Sequence, residues 1–209
     1  MSQSHAYASD IAFTSAVKAI QSAKGSRAAY ARVEEGEGWR TEIDGYLAAF
    51  IAAQTSVFLA TANAEGQPYI QHRGGPPGFL RVLDPKTIAF ADFRGNRQYI
   101  TLGNLAENPK AYLFLIDYAH RQRIKIWGEA RVVADDPALL EALQPKDYKA
   151  RPEQAILFKV VAWDANCPQH IPQRFEAADV AAALGERDQR IAELEAELAR
   201  LRGASVDRA

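Results

Sequence analysis

The chain has 209 residues, enough for one substantial domain with its own core but cramped for two. Hydrophobic residues make up 48% and charged residues 24%, and the formal net charge of −1 excludes the global basic field typical of nucleic-acid binding. One cysteine (Cys167), no secretory signal pattern and no apolar run long enough to span a bilayer together predict a soluble cytoplasmic protein.

Positive charge is concentrated in the middle of the chain. Residues 71–125 hold nine Lys or Arg against four Asp or Glu, so this stretch carries +5 (9 − 4) while the whole chain carries −1. A local positive zone in a near-neutral protein suits a small anion better than a polymer, although a solvated face explains the same count.

The N-terminal quarter of the sequence predicts helices. Apolar residues in 10–24 recur at helical spacing, and Gly25 is a plausible C-terminal stop. Residues 26–40 look like an irregular connection. Thr41 is then the predicted N-cap of a helix that ends near Gln54.

From residue 56 onward, short runs of β-branched and aromatic residues separated by turns predict strands. Close spacing and marginal helices indicate a mainly β chain with peripheral helices (α+β), its antiparallel strands forming a closed or partly closed barrel. A parallel dinucleotide-binding sheet is disfavoured because no strand–GxGxxG–helix unit is present. The predicted strands are SVFLATAN, PYIQHR, FLRVLD, TIAFADF, AYLFLIDY, RIKIWGEARVV and AILFKVVAWD.

The tail predicts an amphipathic helix from about Glu176. Its apolar residues recur at intervals of seven, three, four and three, a short heptad seam that either pairs with another subunit or covers the chain's own barrel. The seam is Leu184, Ile191, Leu194, Leu198 and Leu201. The predicted divisions are an N-terminal helical segment packing on the barrel (1–55), the barrel (56–175) and the C-terminal helix (176–209).

The first candidate site motif is IQHRGGPPGF, residues 70–79, at the end of a predicted strand. Arg73 offers a charged fork for an oxyanion or carbonyl, and Gly74 and Gly75 allow close backbone approach to a ligand. Pro76 and Pro77 remove two N–H donors. From these residues alone, a proline-rich bend after a strand is the favoured interpretation.

The second motif is DFRGNRQY, residues 92–99, where a strand ends and a short helix begins before Pro109. Asn96, Arg97 and Gln98 fall at the predicted helix start, a natural phosphate site. The following Gly103-Asn104 is interpreted as the end of that helix. An ordinary Asn/Gly turn is the alternative for the motif.

Two further motifs carry weaker signals. In HRQRIKIWG, cations two residues apart would share one strand face, which either meets water or lines an anionic ligand. They are Arg121, Arg123 and Lys125. In NCPQHIPQRF, Cys167, His170 and Arg174 invite a catalytic interpretation, but no metal set is completed, and a structural Cys and capping His are favoured.

These motifs, in this order, resemble the pyridoxamine 5′-phosphate oxidase-like, FMN-binding split-barrel superfamily over about residues 56–133. The chain looks closest to a bacterial subgroup of flavin-nucleotide-binding proteins of unassigned activity, which shares the strings QHRGGPPGF, FADFRGNRQY and NCPQHIPQRF. The resemblance implies an antiparallel split β-barrel and a homodimer with FMN at the subunit interface. It also implies an FMN-dependent oxidoreductase acting on an unidentified small substrate.

Carried over position by position, the resemblance implies FMN contacts on three strand ends and one turn. Arg97, helped by Arg94 and the region of Asn96, would hold the phosphate, and Arg73 or Arg123 would lie near the pyrimidine edge of the ring. His72 would pack on or bond the ring, with proton donation to substrate as the alternative. The implied cofactor-binding residues are Gln71, His72, Arg73, Gly74, Gly75, Ala91, Asp92, Asn96, Arg97, Gln98 and Arg123.

The chain departs from the oxidases at several of these positions. Gln71 stands where they have arginine, and Pro76 and Gln98 stand where they have lysine; their C-terminal substrate-gripping set has no counterpart beyond Arg174. A true pyridoxamine 5′-phosphate oxidase is therefore disfavoured. A non-catalytic flavin carrier or sensor stays open, as does a split barrel holding haem or a deazaflavin. The catalytic residues and the substrate are not indicated, and no metal is expected.

Overall fold

A computed structural model gives the fold and describes residues 6–165 and 168–206, the last five of these by backbone alone. The chain forms two compact units. The larger comprises residues up to 117 together with 122–169, and the smaller comprises 118–121 and the residues from 170 onward. The three divisions expected from the sequence stay a prediction.

A 3₁₀ turn and three α-helices precede the sheet. They are Ala8–Ile11, α1 (Ser15–Ala23), α2 (Arg27–Glu35) and α3 (Gly45–Ala53). The expectation that residues 26–40 are irregular is wrong, because α2 occupies most of them. This polar helix is held by its buried Glu34, which pairs with Arg27 and accepts a hydrogen bond from Ser9 Oγ at 3.2 Å.

The start of α3 differs from its prediction by one helical turn. Its N-cap is Asp44, whose Oδ1 accepts a hydrogen bond from the Leu47 N–H at 2.8 Å, and not Thr41. The reason is tertiary: the Ile43 N–H donates to the Pro85 carbonyl at 2.7 Å, which keeps the preceding segment extended. The helix ends before Gln54, as the sequence predicts.

Seven antiparallel strands form one sheet, in the order β2-β1-β5-β6-β7-β4-β3. The mainly β prediction with marginal helices is confirmed. Over the residues that the structure describes the sheet is not closed, so the partly closed alternative is the correct one. The strands are β1 (Ser56–Ala62), β2 (Pro68–Gly74), β3 (Arg81–Asp84), β4 (Thr87–Phe93), β5 (Lys110–Asp117), β6 (Gln122–Val133) and β7 (Pro152–Ala165).

The core lies on one face of this sheet, where alternate residues of β1, β5 and β6 are fully buried. Leu47 and Ile51 of α3 join the core with no exposed surface. Strand β4 is buried over nearly its whole length, because a second small cluster around Leu143 of α5 (Pro137–Leu143) covers its other face. That burial fixes the end of β4, where the second motif begins.

Helix α4 (Ile100–Glu107) follows the second motif. The expectation that Gly103-Asn104 ends this helix is wrong, since the helix continues to Glu107. Asn104 is buried instead, and its Nδ2 donates to Thr61 Oγ1 of β1 at 3.0 Å. This bond anchors α4 on the sheet and fixes the position of its N-terminus.

The smaller unit consists mainly of α6 (Ala177–Val206), a helix of 30 residues that matches the predicted tail helix. In its connecting segment the Arg174 guanidinium lies 4.7 Å from the Tyr118 ring centroid. Across residues 6–165 and 168–206, none of the helices combines the length and hydropathy of a membrane-spanning segment.

Candidate functional site

A cleft of about 300 Å³ opens where β2 and β4 end and α4 begins. We call it the β2/β4 cleft. It brings together the first two sequence motifs and part of the segment between α5 and β7. Its lining residues are Gln71, His72, Arg73, Gly74, Phe79, Ala91, Asp92, Phe93, Arg94, Gly95, Asn96, Arg97, Tyr99, Ile100, Thr101, Leu102, Tyr148, Ala150 and Glu153.

The cleft exists because the sheet curls. Four strands lie between β2 and β4 in the sheet order, yet Arg73 Nε of β2 lies 2.9 Å from Asp92 Oδ1 of β4. A flat sheet would separate these side chains by several strand spacings of about 4.8 Å each. The ion pair therefore spans the opening of the split barrel.

Arg73 is held on several sides. Its side chain is 14% exposed, its Nη2 lies 3.4 Å from Thr101 Oγ1 of α4, and its Nη1 donates to the His72 carbonyl at 3.3 Å. The buried Nε–H has no hydrogen-bond acceptor aligned with it among the described residues, so its contact with Asp92 is an ion pair without a hydrogen bond.

Asp92 compensates that charge. It is buried, and its Oδ2 accepts a hydrogen bond from Gln154 Nε2 of β7 at 2.8 Å, across the register that pairs these two residues. Because the Asp92 carboxylate lies against Arg73, the pair contributes little net charge to the cleft. Any net positive charge of the cleft therefore comes from other lining residues.

The turn from residue 94 to 99 supplies that charge. Arg97 and Tyr99 both have left-handed backbone conformations, with φ of 61° and 55°, and Asn96 Oδ1 accepts a hydrogen bond from the Gln98 N–H at 3.2 Å. Left-handed conformations are uncommon for such side chains and concentrate at functional sites. They turn the chain sharply from β4 into α4.

Arg97 is fully charged and exposed in this turn. Its Nε donates to the Tyr99 hydroxyl at 3.0 Å, and this bond raises the pKa of the Arg97 guanidinium above its ordinary value. Arg94 lies 3.7 Å from Glu153 Oε1, a long contact between groups that water reaches and screens. The mouth of the cleft is therefore positive.

The N-terminus of α4 faces the same cleft through Ile100, Thr101 and Leu102. Its N-cap, Tyr99, provides no side-chain cap for the first-turn N–H groups within the described residues. Such groups carry partial positive charge and bind phosphate or carboxylate when one is within reach. Together with Arg97 they form an arrangement suited to an anion.

The family of the chain is shown by a match over more than half of its length. A family model described as pyridoxamine 5′-phosphate oxidase matches residues 43–167, which is 125 of the 209 residues. The chain belongs to the pyridoxamine 5′-phosphate oxidase family. The match includes all seven strands and the β2/β4 cleft. No curated protein matches the chain.

Several solved structures resemble the chain at low identity. Tagged HupZ from Group A Streptococcus is 21% identical, with a TM-score of 0.47, over 64% of this chain and 99% of that one. An FMN-binding protein from Syntrophomonas wolfei is 15% identical, with a TM-score of 0.44, over 71% and 97%. A protein related to general stress protein 26, from Clostridium acetobutylicum, is 16% identical, with a TM-score of 0.44, over 66% and 99%. At these scores the likenesses carry no conclusion about ligand or activity.

Eight of the eleven site residues expected from the family resemblance line the β2/β4 cleft. They are Gln71, His72, Arg73, Gly74, Ala91, Asp92, Asn96 and Arg97. In the described part of the chain Gly75, Gln98 and Arg123 are not among the lining residues. Their role in binding stays a prediction.

A Cβ on either glycine of the first motif would crowd atoms of the chain itself, most severely at Gly75. A Cβ on Gly75 would lie 2.6 Å from Phe79 Cβ, and one on Gly74 would lie 3.2 Å from the Thr55 carbonyl. The Gly75 N–H also donates to that carbonyl at 3.1 Å, so it is already used. Close approach of a ligand is therefore not needed to explain Gly75.

The side chains of Gln71 and His72 are oriented by their own strand neighbours. The Tyr69 hydroxyl donates to Gln71 Oε1 at 2.7 Å, and the His72 ring stands edge-on to Phe58 with centroids 5.6 Å apart. The His72 ring therefore already packs on one aromatic side chain of the same sheet, and its contact with a flavin ring stays a prediction.

Two of the three cations of the third motif, Arg123 and Lys125, share one face of β6. Arg121 lies in the turn before β6, with φ of 53°, which contradicts the expected alignment. Lys125 pairs with Asp164 at 2.9 Å, and its Nζ lies 5.4 Å and 5.3 Å from the ring centroids of Trp39 and Trp127. It serves the packing of the fold and not the cleft.

The fourth motif lies only partly within the described residues, because Asn166 and Cys167 fall outside them. His170 has a left-handed backbone with φ of 65°, and Arg174 is engaged with Tyr118. Among residues 6–165 and 168–206 no group of three His, Cys, Asp or Glu side chains is placed to hold a metal ion.

Sequence reasoning missed the part of the cleft contributed by residues 148–154. Tyr148 packs edge-on against Phe93 at 5.2 Å, and the Arg94 N–H donates to the Arg151 carbonyl at 2.9 Å. The pairing of β4 with β7 creates these contacts. No local motif predicts them, although the density of cations in 146–151 was a usable signal.

Proposed function

We propose that the chain binds FMN in the β2/β4 cleft and acts as an FMN-dependent oxidoreductase on a small substrate. The observation that carries this proposal is the convergence of a cationic turn, an uncapped helix N-terminus and a polar strand end on one cleft. Family membership supports it, because the matched range contains the eight lining residues at which the resemblance implies FMN contacts. A cleft of this size is at the lower end of those that bind small ligands.

The phosphate end is assigned to the turn before α4. Arg97 and Arg94 supply charge, and the first N–H groups of α4 supply directed donors. Gln98, which stands where the oxidases have lysine, adds no charge. Arg94 fits as the replacement cation because it lines the same cleft.

The ring end is assigned to the segment from Gln71 to Gly74. The Arg73 guanidinium lines the cleft, where its N–H groups would donate to a carbonyl or ring nitrogen at the pyrimidine edge. Arg73 is preferred to Arg123 for this position, since only Arg73 of the two lines the cleft. When bound, FMN supplies the redox chemistry, while the chain positions it and sets its electrostatic environment.

The cleft is open on one side, and the proposal therefore includes a homodimer that covers it. An extended planar ligand bound to one chain would keep much of its surface in water. A second copy placed against the cleft removes that surface from solvent, as the family resemblance implies. A cytoplasmic location stays a prediction.

The competing function is a flavin-binding module without turnover. The two are separated by identifying the molecule that copurifies with the protein by mass spectrometry, then adding NAD(P)H under anaerobic conditions and re-admitting oxygen. An enzyme shows bleaching of the flavin absorption band by the donor and rapid return of the band with oxygen. A flavin that no donor reduces favours the module, and a Soret band or a flavin-free protein that does not take up FMN overturns the proposal.

A further inference from the structure

Helix α6 carries an apolar face that lies in solvent. Six large side chains on it are between 43% and 55% exposed, although they recur at heptad spacing. They are Val180, Leu184, Ile191, Leu194, Leu198 and Leu201. A seam of this kind on a single helix is typical of a helix that pairs with another.

The spacing assigns each residue to a heptad position. Leu184, Ile191 and Leu198 fall seven residues apart at position a, while Leu194 and Leu201 fall at position d. Leucine at d with isoleucine at a favours two strands, and Ile191 occupies the central a position of this seam. The same seam on an identical helix is its simplest complement, since it presents equal length and equal spacing.

The charges beside the seam distinguish the two possible orientations. In a parallel, in-register pair, Arg190 at position g faces Glu195 at position e of the second copy, twice by symmetry. In the antiparallel register that stacks the most seam residues, Asp188 instead faces Glu195 of the second copy, a pair of like charges. Among Asp188, Arg190 and Glu195, parallel pairing therefore places no two like charges opposite each other across the interface.

One seam position opposes tight pairing. Arg187 occupies position d, where two copies would meet. Its long stem allows the charged end to reach solvent, and Asp188 beside it offers an opposite charge across the pair. The in-chain ion pair of Arg190 with Glu193, at 2.8 Å between largely exposed groups, is weak enough to exchange for an interhelical one.

We infer that α6 pairs with α6 of a second copy of this chain as a parallel, two-stranded coiled coil in register over residues 184–201. This inference does not rest on FMN binding, because every residue that carries it lies in α6. It selects one of the two roles that the sequence left open for the tail.

The decisive experiment traps the pair by disulfide formation in the full chain. Cys167 is first replaced in Cys167→Ser, which removes the native thiol, and Leu198→Cys or Ala196→Cys is then added. Position 198 meets its own copy in a parallel pair, within the reach of a disulfide, whereas 196 points away from the seam. In the antiparallel register the two 198 positions would lie about 16 Å apart, from a rise of ~1.5 Å per residue.

The expected result under mild oxidation is a disulfide-linked dimer for Leu198→Cys and about tenfold less for Ala196→Cys. Equal yields from the two variants, or no linked dimer from either, would overturn the inference. A second measurement uses the double variant Leu194→Asp/Leu198→Asp without added cysteines. We expect the helices to separate, seen as loss of helical circular dichroism at 222 nm; an unchanged signal and unchanged sedimentation would equally overturn it.

Discussion

At the scale of single residues, the ion pair of Arg73 and Asp92 decides how the cleft is charged. Both side chains are largely buried, and each charge is matched by the other, so the pair serves to join β2 to β4 more than to attract an anion. The guanidinium groups of Arg94 and Arg97 remain at the mouth, where we propose that the phosphate binds. The ion pair and the exposed guanidinium groups are therefore separate sets of charges in the cleft.

We therefore expect Arg73→Ala to destabilise the protein by about 2 to 4 kcal/mol, because the Asp92 carboxylate would stay buried without its partner. Urea unfolding of the flavin-free protein measures the change. The control is a double-mutant cycle. Arg73→Ala/Asp92→Ala should cost at least about 1 kcal/mol less than the sum of the single changes, and strict additivity would show that the pair is not coupled.

Arg97→Ala is expected to weaken FMN binding by about 10- to 100-fold, because a charge-assisted contact with the phosphate is lost. Quenching of flavin fluorescence during titration measures the dissociation constant. The matched control is Arg131→Ala, an exposed arginine of β6 that does not line this cleft in the described structure. An unchanged affinity in Arg97→Ala would remove the phosphate assignment.

Burial raises the pKa of the Tyr112 hydroxyl to about 12, with the nearby Asp164 carboxylate adding to the shift. The unfolded chain loses this proton near pH 10, while the folded chain keeps it to about 12. Stability from this group is thus present below pH 10 and falls between about pH 10 and 12, by roughly 2 kcal/mol. Tyr112→Phe should flatten that fall in denaturant unfolding, and an equally steep fall in the variant would contradict the assignment.

At the scale of elements, β6 and β7 are joined through a bulge that only glycine fits. The register shifts between Trp127 and Gly128, and a Cβ on Gly128 would lie 2.2 Å from the Lys159 carbonyl. We expect Gly128→Ala to cost about 2 to 3 kcal/mol by forcing the two strands apart. Thermal unfolding measures it, with Gly103→Ala as control.

The control at Gly103 is matched because the described structure places nothing within 4 Å of its added Cβ, and because it lies in α4. Alanine there should be neutral or stabilise by about 0.5 to 1 kcal/mol, from helix propensity alone. Equal losses in the two variants would show that the bulge at Gly128 is not under steric restraint.

The elements differ in how far the sequence could predict them. Strand alternation and turn residues identified the strands, because burial of one sheet face makes apolar and polar residues alternate along each strand. Helix α2 was missed because Glu34, which is buried, and its partner Arg27 both look like surface charges in the sequence. The cap at Asp44 was missed because Thr41 is also a favoured N-cap by residue type, and only the tertiary contacts show which of the two residues caps the helix.

The candidate site likewise has a part that local sequence predicts and a part that it does not. Gln71 to Gly74 and the turn at Arg97 were located from strings that lie within one strand end or one turn. The contact of Asp92 with Gln154 spans 62 residues and depends on the register of β4 with β7. Registers between distant strands are set by the whole sheet, so no local pattern predicts them.

At the scale of the whole molecule, the curled but open sheet explains how the positive charges in the middle of the sequence are distributed in the fold. Arg73 and Lys125 are neutralised inside the fold, by Asp92 and Asp164. Arg94 and Arg97 remain at the cleft mouth. The positive charge counted along the sequence is therefore partly neutralised inside the fold, and the potential at the cleft depends on a few groups.

The open cleft leads to a prediction that links FMN to assembly. If FMN contacts both copies of a dimer, binding and dimerisation must strengthen one another by the same factor. We expect dimers of about 46 kDa, twice 23.0 kDa, that dissociate on dilution without FMN and persist to at least about tenfold lower concentration with it. Analytical ultracentrifugation over a dilution series measures both constants. Arg97→Ala should need about 10- to 100-fold more FMN for the same effect while keeping the flavin-free constant, because its side chain acts through the ligand. A dimer constant that FMN leaves unchanged in the native chain would show that each cleft binds flavin within a single copy.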